Sequence, residues 1–146
     1  MIEGQANCAF DRATASGTRL RREIQAAYLF GSAASGRTRT DSDLDLAVLL
    51  ARPIGASRSL DYRLKLMTDL GAALHRSDVD VVILNDAPPL LAHRILSQGT
   101  LVFERSASAR VRFQVRAAAR YADMVPMFET QIRYLKKHAR EGRIGG

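Results

Sequence analysis

The chain has 146 residues, a mass of 16.1 kDa and a globular composition, with 47% hydrophobic and 25% charged residues, which excludes a wholly disordered chain. Its 22 cations exceed its 15 acids by seven, and residues 101–146 alone carry a net charge of +6. This asymmetry indicates either an acidic or polyanionic partner for the last third of the chain or a solvated helical face there.

The first half of the chain predicts an arm, the end of a helix, and two strands separated by a polar segment. In chain order these segments are residues 1–18, 20–25, 26–30, 33–42 (the polar segment) and 44–50. The first strand is predicted from a short apolar run that Gly31 and Ser32 end. The residues of the fourth segment, 33–42, are small, polar and basic, which predicts either a loop or a short helix there.

The second half predicts helices that alternate with short strands. In chain order these are a helix over 59–75, a strand over 79–84, a turn over 85–89 into a helix that ends at about residue 98, a strand over 100–104, and helices over 106–121 and 127–138. Pro126 is predicted to separate the last two helices, because proline lacks the amide hydrogen that a helix interior uses. The alternation predicts an α/β or α+β fold, a small mixed sheet flanked by helices.

Carboxylates open two of the predicted strands. Asp43 and Asp45 are two residues apart, so both side chains project from one face of their strand. Asp80 opens another short strand and would join them if the two strands were neighbours. Such oxygen ligands suit Mg²⁺, and three of them could hold two ions for displacement at phosphorus. The alternatives are capping or edge positions and, for Asp80, an ion pair with Arg76.

A candidate phosphate-binding group follows the first predicted strand. Gly31 and Ser32 form a strand–loop junction whose N–H groups and hydroxyl can donate to an anion. Arg37 and Arg39 follow in the loop and offer bidentate pairs for phosphate oxygens. Ser42, at the end of the loop, completes the candidate nucleotide-binding set. A lone Gly-Ser pair is usually only a turn, so the set depends on the carboxylates that follow it.

Other features bear on the compartment and on metals. The single cysteine, Cys8, excludes an internal disulfide and a multi-cysteine metal cage. No apolar run approaches the ~20 residues of a membrane span, and the first residues lack the basic-then-apolar pattern of a secretory signal. We therefore expect a cytoplasmic protein with no membrane partner.

The motifs resemble those of a known superfamily. Gly31-Ser32, ten further residues and then Asp43-Leu44-Asp45 resemble the minimal signature of the DNA polymerase β-like nucleotidyltransferases. The segments 78–91, 95–105 and 120–123 resemble the MntA-type antitoxins, which are partners of HEPN-domain toxins. The likeness covers about residues 20–138.

The resemblance implies a polymerase β-like nucleotidyltransferase core over residues 19–105, an N-terminal arm over 1–18 and a C-terminal helical segment over 106–146 packed on the core. It implies the following roles: Gly31 and Ser32 hold the triphosphate, and Asp43, Asp45 and Asp80 are catalytic and bind Mg²⁺. The implied reaction uses ATP, transfers AMP to a tyrosine hydroxyl of the HEPN RNase toxin, and silences it.

One departure from the family pattern lies in the loop. Many relatives read Gly-Ser-Arg-x-Arg-Gly, whereas this chain has Ala33 and Ser35 at the two arginine positions. Arg37 and Arg39 are therefore the candidates to replace those arginines.

Three other functions remain as alternatives. The first is transfer to a small-molecule hydroxyl, although the roughly 40 residues after the last strand leave little room for an acceptor domain. The second is a non-catalytic antitoxin that neutralises by binding alone, against which the three retained carboxylates argue. The third is an RNA-binding protein, and with 6% aromatic residues and no Trp we do not expect direct nucleic-acid binding.

Two further features of the last third have more than one interpretation. Arg112, Arg116 and Arg120 share one helix face, which is either a surface for an acidic toxin or for RNA bound to the complex, or a solvated stripe. Tyr134 lies on a helical pattern and is expected to pack, and Met127 is expected to contact the core or a partner helix.

Overall fold

The structure, a computed structural model, describes residues 23–31 and 44–140. Within these residues it contains four strands, three α-helices and one short 3-10 turn. In chain order they are β1 (Ile24–Phe30), β2 (Leu44–Leu50), α1 (Ala56–Leu74), β3 (Val79–Ile83), the 3-10 turn (Leu84–Asp86), α2 (Pro89–Gln98), β4 (Thr100–Glu104) and α3 (Ala107–Arg140).

The four strands form one mixed sheet in the order β3-β2-β1-β4. β1 pairs antiparallel with both β2 and β4, whereas β2 and β3 are parallel and are joined through α1. A parallel pair needs a long crossover, which α1 supplies. The prediction of a small mixed sheet flanked by helices is confirmed.

The core lies on both faces of the sheet, because side chains alternate along each strand. One face packs against α1, whose buried residues are Tyr62, Leu66 and Leu70. The other face packs against α2 and α3, whose buried residues are Ala92, Ile95, Phe113 and Ala117. In β2, Leu46 and Val48 belong to the α1 side, whereas Ala47 and Leu49 belong to the α2/α3 side.

Two predicted boundaries are wrong. Residues 24 and 25 do not end a helix but open β1, because Ile24 pairs with Leu50 of β2 and is fully buried. Pro126 does not separate two helices, since α3 continues through it as one helix of 34 residues. A single proline removes one amide donor, and the turns on either side keep their own bonds. The Thr130 hydroxyl also donates to the Pro126 carbonyl at 2.9 Å.

Among residues 23–31 and 44–140, no helix is both long enough and apolar enough to span a membrane.

Candidate active site

Two carboxylates lie side by side where β2 and β3 begin. Asp45 and Asp80 are register partners across the parallel pair, and both belong to the face of the sheet that packs against α2 and α3. Asp45 is half-buried, whereas the Asp80 side chain is 53% exposed. The strands that carry Asp45 and Asp80 are therefore neighbours, which is the condition that the sequence analysis set for their acids to meet.

Gly31 closes the same end of the sheet. It follows Phe30, the register partner of Asp45, and its φ of 75° lies in the left-handed region that favours glycine. A Cβ atom at Gly31 would lie 2.5 Å from Oδ2 of Asp45. The absence of a side chain at this position is what lets the Asp45 carboxylate approach the end of β1.

Arg63, on α1, is a site residue that the sequence analysis missed. Its Nη2 lies 3.5 Å from Oδ1 of Asp80, and its Nε donates to the Val81 carbonyl at 2.7 Å. The amide of Val81 also donates to Oδ1 of Asp80, at 2.9 Å. No local pattern marks Arg63, because the contact joins a helix and an edge strand that only the fold brings together.

The alternative pairing of Asp80 with Arg76 is wrong. Arg76 instead pairs with Asp78, with Nη2 at 2.6 Å from Oδ2 and Nε at 2.8 Å from Oδ1. The hydrogen bond from Arg76 holds the pKa of the Asp78 carboxyl below its usual range. The Asp78 carbonyl in turn accepts from the Leu44 amide at 3.0 Å, so this ion pair lies where β2 and β3 start.

Several predicted site residues lie outside the described part of the chain. They are Ser32, Arg37, Arg39, Ser42 and Asp43. Within the described part, no cluster of three or more His, Cys, Asp or Glu side chains is present. Asp45 and Asp80 nevertheless fit a hard divalent cation, since adjacent carboxylate oxygens are the donors that Mg²⁺ prefers.

A second cluster of polar side chains, which includes Tyr28, Glu104 and Arg110, lies between β1, β4 and α3. Burial raises the pKa of the Tyr28 hydroxyl, although the nearby Arg110 and Gln114 act in the opposite direction. Glu104 accepts a hydrogen bond from Nε of Arg110 at 2.7 Å, which raises the pKa of that guanidinium. The group links α3 to the sheet and does not include Asp45 or Asp80.

A groove of about 670 Å³ lies away from the carboxylates. It is lined by residues at the far end of β2, including Leu49 and Leu50, and by Phe113. Leu49 is four residue steps beyond Asp45 along β2, a distance of about 13 Å. The row Arg112, Arg116 and Arg120 borders this groove, so it flanks an apolar depression.

Comparison with known proteins agrees with this geometry. The sequence model of the family described as "Polymerase beta, Nucleotidyltransferase" matches residues 17–108. The chain is 39% identical over 79 residues to Protein adenylyltransferase MntA of Shewanella oneidensis. That match covers 53% of this chain and 52% of the relative, so the chain spans about half the length of this curated relative.

Solved structures share the fold. One, described as a toxin-antitoxin with AMP-PNP, superposes with a TM-score of 0.68 at 24% identity, over 89% of this chain and 98% of that chain. Another, a tri-AMPylated Shewanella oneidensis HEPN toxin in complex with MNT antitoxin, gives a TM-score of 0.65 at 23% identity, over 90% of this chain and 98% of that chain. With its family match over more than half of the residues, the chain belongs to the polymerase beta nucleotidyltransferase family.

Proposed function

We propose that this chain is an antitoxin that transfers AMP from ATP to a tyrosine hydroxyl of a cognate HEPN RNase toxin and thereby neutralises it. The observation that carries the proposal is the juxtaposition of Asp45 and Asp80 in neighbouring parallel strands beside Gly31. The name of the relative, Protein adenylyltransferase MntA, and the HEPN toxin complexes of the structural neighbours support the same reaction. We assign the reaction to the cytoplasm.

In this proposal, each predicted site residue binds either the metal or the nucleotide. Asp43, Asp45 and Asp80 hold two Mg²⁺ ions, Gly31 and Ser32 hold the triphosphate, and Arg37, Arg39 and Ser42 contact its outer oxygens. Mg²⁺, when bound, supplies charge neutralisation at the phosphates. We assign residues 19–105 to the catalytic core, residues 1–18 to an arm and residues 106–146 to the helical segment packed on the core.

The proposed step is an in-line displacement at the α-phosphorus of ATP. The tyrosine oxygen forms the new P–O bond while the bond to the pyrophosphate oxygen breaks and pyrophosphate leaves. The phenol, with an ordinary pKa of about 10, must give up its proton, and the Asp80 carboxylate accepts it. Arg63 positions Asp80 for this task, since it is itself held by the Val81 carbonyl.

The test is incubation of the chain with ATP labelled at the α-phosphate, Mg²⁺ and the HEPN toxin. We expect label on toxin tyrosine, loss of labelling with a chelator, and at least a hundredfold slower labelling by Asp45→Asn or Asp80→Asn. Asp61→Asn is the matched control, because this exposed carboxylate pairs only with Lys65 in the described contacts, at 3.1 Å on the surface of α1.

Each other outcome points to a different function. Label on a small-molecule acceptor instead of the toxin contradicts the proposal in favour of small-molecule transfer. Neutralisation by Asp45→Asn that equals that of the wild type contradicts it in favour of inhibition by binding alone.

A further inference from the structure

The groove of about 670 Å³ has an apolar lining that three elements supply. Leu49 lines it from β2, Leu84 lines it from the 3-10 turn, and Val115 lines it from α3, where this large apolar side chain is 65% exposed. Along α3 the lining extends from Ala109 to Arg120, about 16 Å or three helical turns. The groove therefore has the length and the apolar surface to receive a short amphipathic helix.

The charged residues of this lining are all cations. They are Arg112, Arg116 and Arg120, which recur every four residues at intervals of about 6 Å and which we call the arginine row. All three are exposed, and among the contacts between described residues none of them pairs with a carboxylate. Arg110 on the same helix differs, since its Nε donates to Glu104 at 2.7 Å. The groove therefore presents a positive potential that the described part of the chain does not neutralise.

The combination of an apolar lining with a row of cations restricts the occupant. Binding of single-stranded RNA relies on exposed aromatic side chains for stacking, and the aromatic residue of this lining, Phe113, is buried. A second copy of the chain has a net charge of +7 and would add like charge to the arginine row. A helix that carries acids at every fourth position beside an apolar stripe matches both the row and the lining.

We propose that this groove docks an acidic amphipathic helix of a partner protein. Apolar side chains of that helix bury against Leu49, Leu84 and Val115, and its carboxylates, four residues apart, pair with the arginine row. Leu49 lies about 13 Å along β2 from Asp45, so the helix binds without occupying the carboxylates of the candidate active site. The docking surface is therefore separate from the proposed chemistry.

The test is fluorescence anisotropy of a labelled synthetic peptide with the full chain at about 150 mM salt, where unspecific charge attraction is screened. The peptide has about 18 residues of high helix propensity. It carries a glutamate at every fourth position and a leucine directly before each glutamate, and it contains no tyrosine. We expect a dissociation constant of about 50 μM and about tenfold weaker binding of the matched peptide with lysines in place of the glutamates.

Variants of the groove separate docking from attraction by net charge. We expect Arg116→Glu, at an exposed position of the arginine row, to weaken peptide binding about tenfold, and Val115→Asp, in the apolar lining, to weaken it about fivefold. The matched control is Arg133→Glu, which changes the net charge equally at an exposed position of α3 outside the lining and should leave binding unchanged. The neighbouring Tyr134 is 60% exposed, so the expectation that it packs inside the protein is wrong.

The absence of peptide binding up to about 500 μM overturns the proposal, as does equal binding of the glutamate and lysine peptides. Equal weakening by Arg116→Glu and Arg133→Glu also overturns it, because net charge and not the groove then attracts the peptide. A single-stranded RNA oligonucleotide that binds more tightly than the peptide and loses that affinity in Arg116→Glu overturns it in favour of a nucleic acid. The assay contains neither ATP nor a toxin, so its failure is independent of the proposed AMP transfer.

Discussion

Gly31 combines a backbone conformation and a contact that both exclude a side chain. Its φ is 75°, and a Cβ would meet Oδ2 of Asp45 at 2.5 Å. We expect Gly31→Ala to lower the free energy of unfolding by about 2 kcal/mol and to slow AMP transfer at least tenfold, because the Asp45 carboxylate must move. Chemical denaturation and the labelling assay measure the two effects.

Gly55→Ala is the control for this prediction. Gly55 has a similar φ of 79°, but a Cβ there would meet nothing within 4 Å. We expect a loss of stability of about 1–3 kcal/mol with full transferase activity. Equal losses of activity in the two variants would contradict the assignment of Gly31 to the site.

Arg63 tests how the Asp80 carboxylate is positioned. Without the guanidinium, Asp80 loses its partner at 3.5 Å and the site becomes more negative. We therefore expect Arg63→Met to lower turnover about threefold and also to lower the Mg²⁺ concentration that gives half-maximal rate. Titration of the rate with Mg²⁺ separates the two effects.

The matched control for Arg63→Met is Lys65→Met on the same helix, which breaks only the exposed pair with Asp61. We expect this variant to keep both the turnover and the Mg²⁺ dependence of the wild type. A turnover of Arg63→Met equal to that of the wild type would contradict the positioning role, and an unchanged Mg²⁺ requirement would contradict the effect of the guanidinium charge on the site.

At the level of single residues, the sequence predicts the side chains whose spacing is itself informative. Asp45 and Gly31 were predicted because a strand alternates with period two and because glycine follows an apolar run. Arg63 was not predicted as a site residue. It contacts Asp80 and Val81 only because α1 packs against the edge strand β3. Ion pairs between residues far apart in the sequence have no fixed spacing, so no sequence pattern predicts them.

Among the elements, α3 contains the clearest difference between pattern and structure. Pro126 lies inside the helix and leaves one backbone carbonyl of the preceding turn without its amide donor. We expect Pro126→Ala to stabilise the following turns locally by about 1–3 kcal/mol, seen as slower amide exchange in residues 127–140. Pro53→Ala, outside the helices, is the control and should leave this exchange unchanged.

Short elements with a strong pattern were predicted well. The strands Leu44–Leu50 and Thr100–Glu104 have the predicted bounds, and the helix Pro89–Gln98 ends where predicted, because glycine or proline stands close to one end of each. The start of β1 was wrong because pairing with β2 decides it and local propensity does not. The sequence analysis did not predict that α3 is continuous. Proline usually ends a helix, and the sequence alone does not show that the helix continues through Pro126.

At the scale of the whole molecule, the Arg76–Asp78 pair makes folding stability depend on acidity. The hydrogen bond from Arg76 lowers the pKa of Asp78 in the folded state, so the unfolded chain binds that proton more readily. The stabilisation is complete above the unfolded pKa of about 4 and is lost as the pH falls through the lower folded value.

A double-mutant cycle with Arg76→Met and Asp78→Asn, measured by urea unfolding, checks this dependence. We expect a favourable coupling free energy at about pH 7 that is lost as the pH falls through the lowered folded pKa of Asp78. A coupling that stays constant across this range would contradict the role of the Asp78 carboxylate.

The parallel pairing of β2 with β3 has a consequence for biogenesis. Asp45 and Asp80 become neighbours only after the crossover through α1 is complete and residues 79–83 have joined the sheet. Contacts of such sequence separation form late. A nascent chain that has not yet emerged past β3 therefore cannot bring Asp45 and Asp80 together.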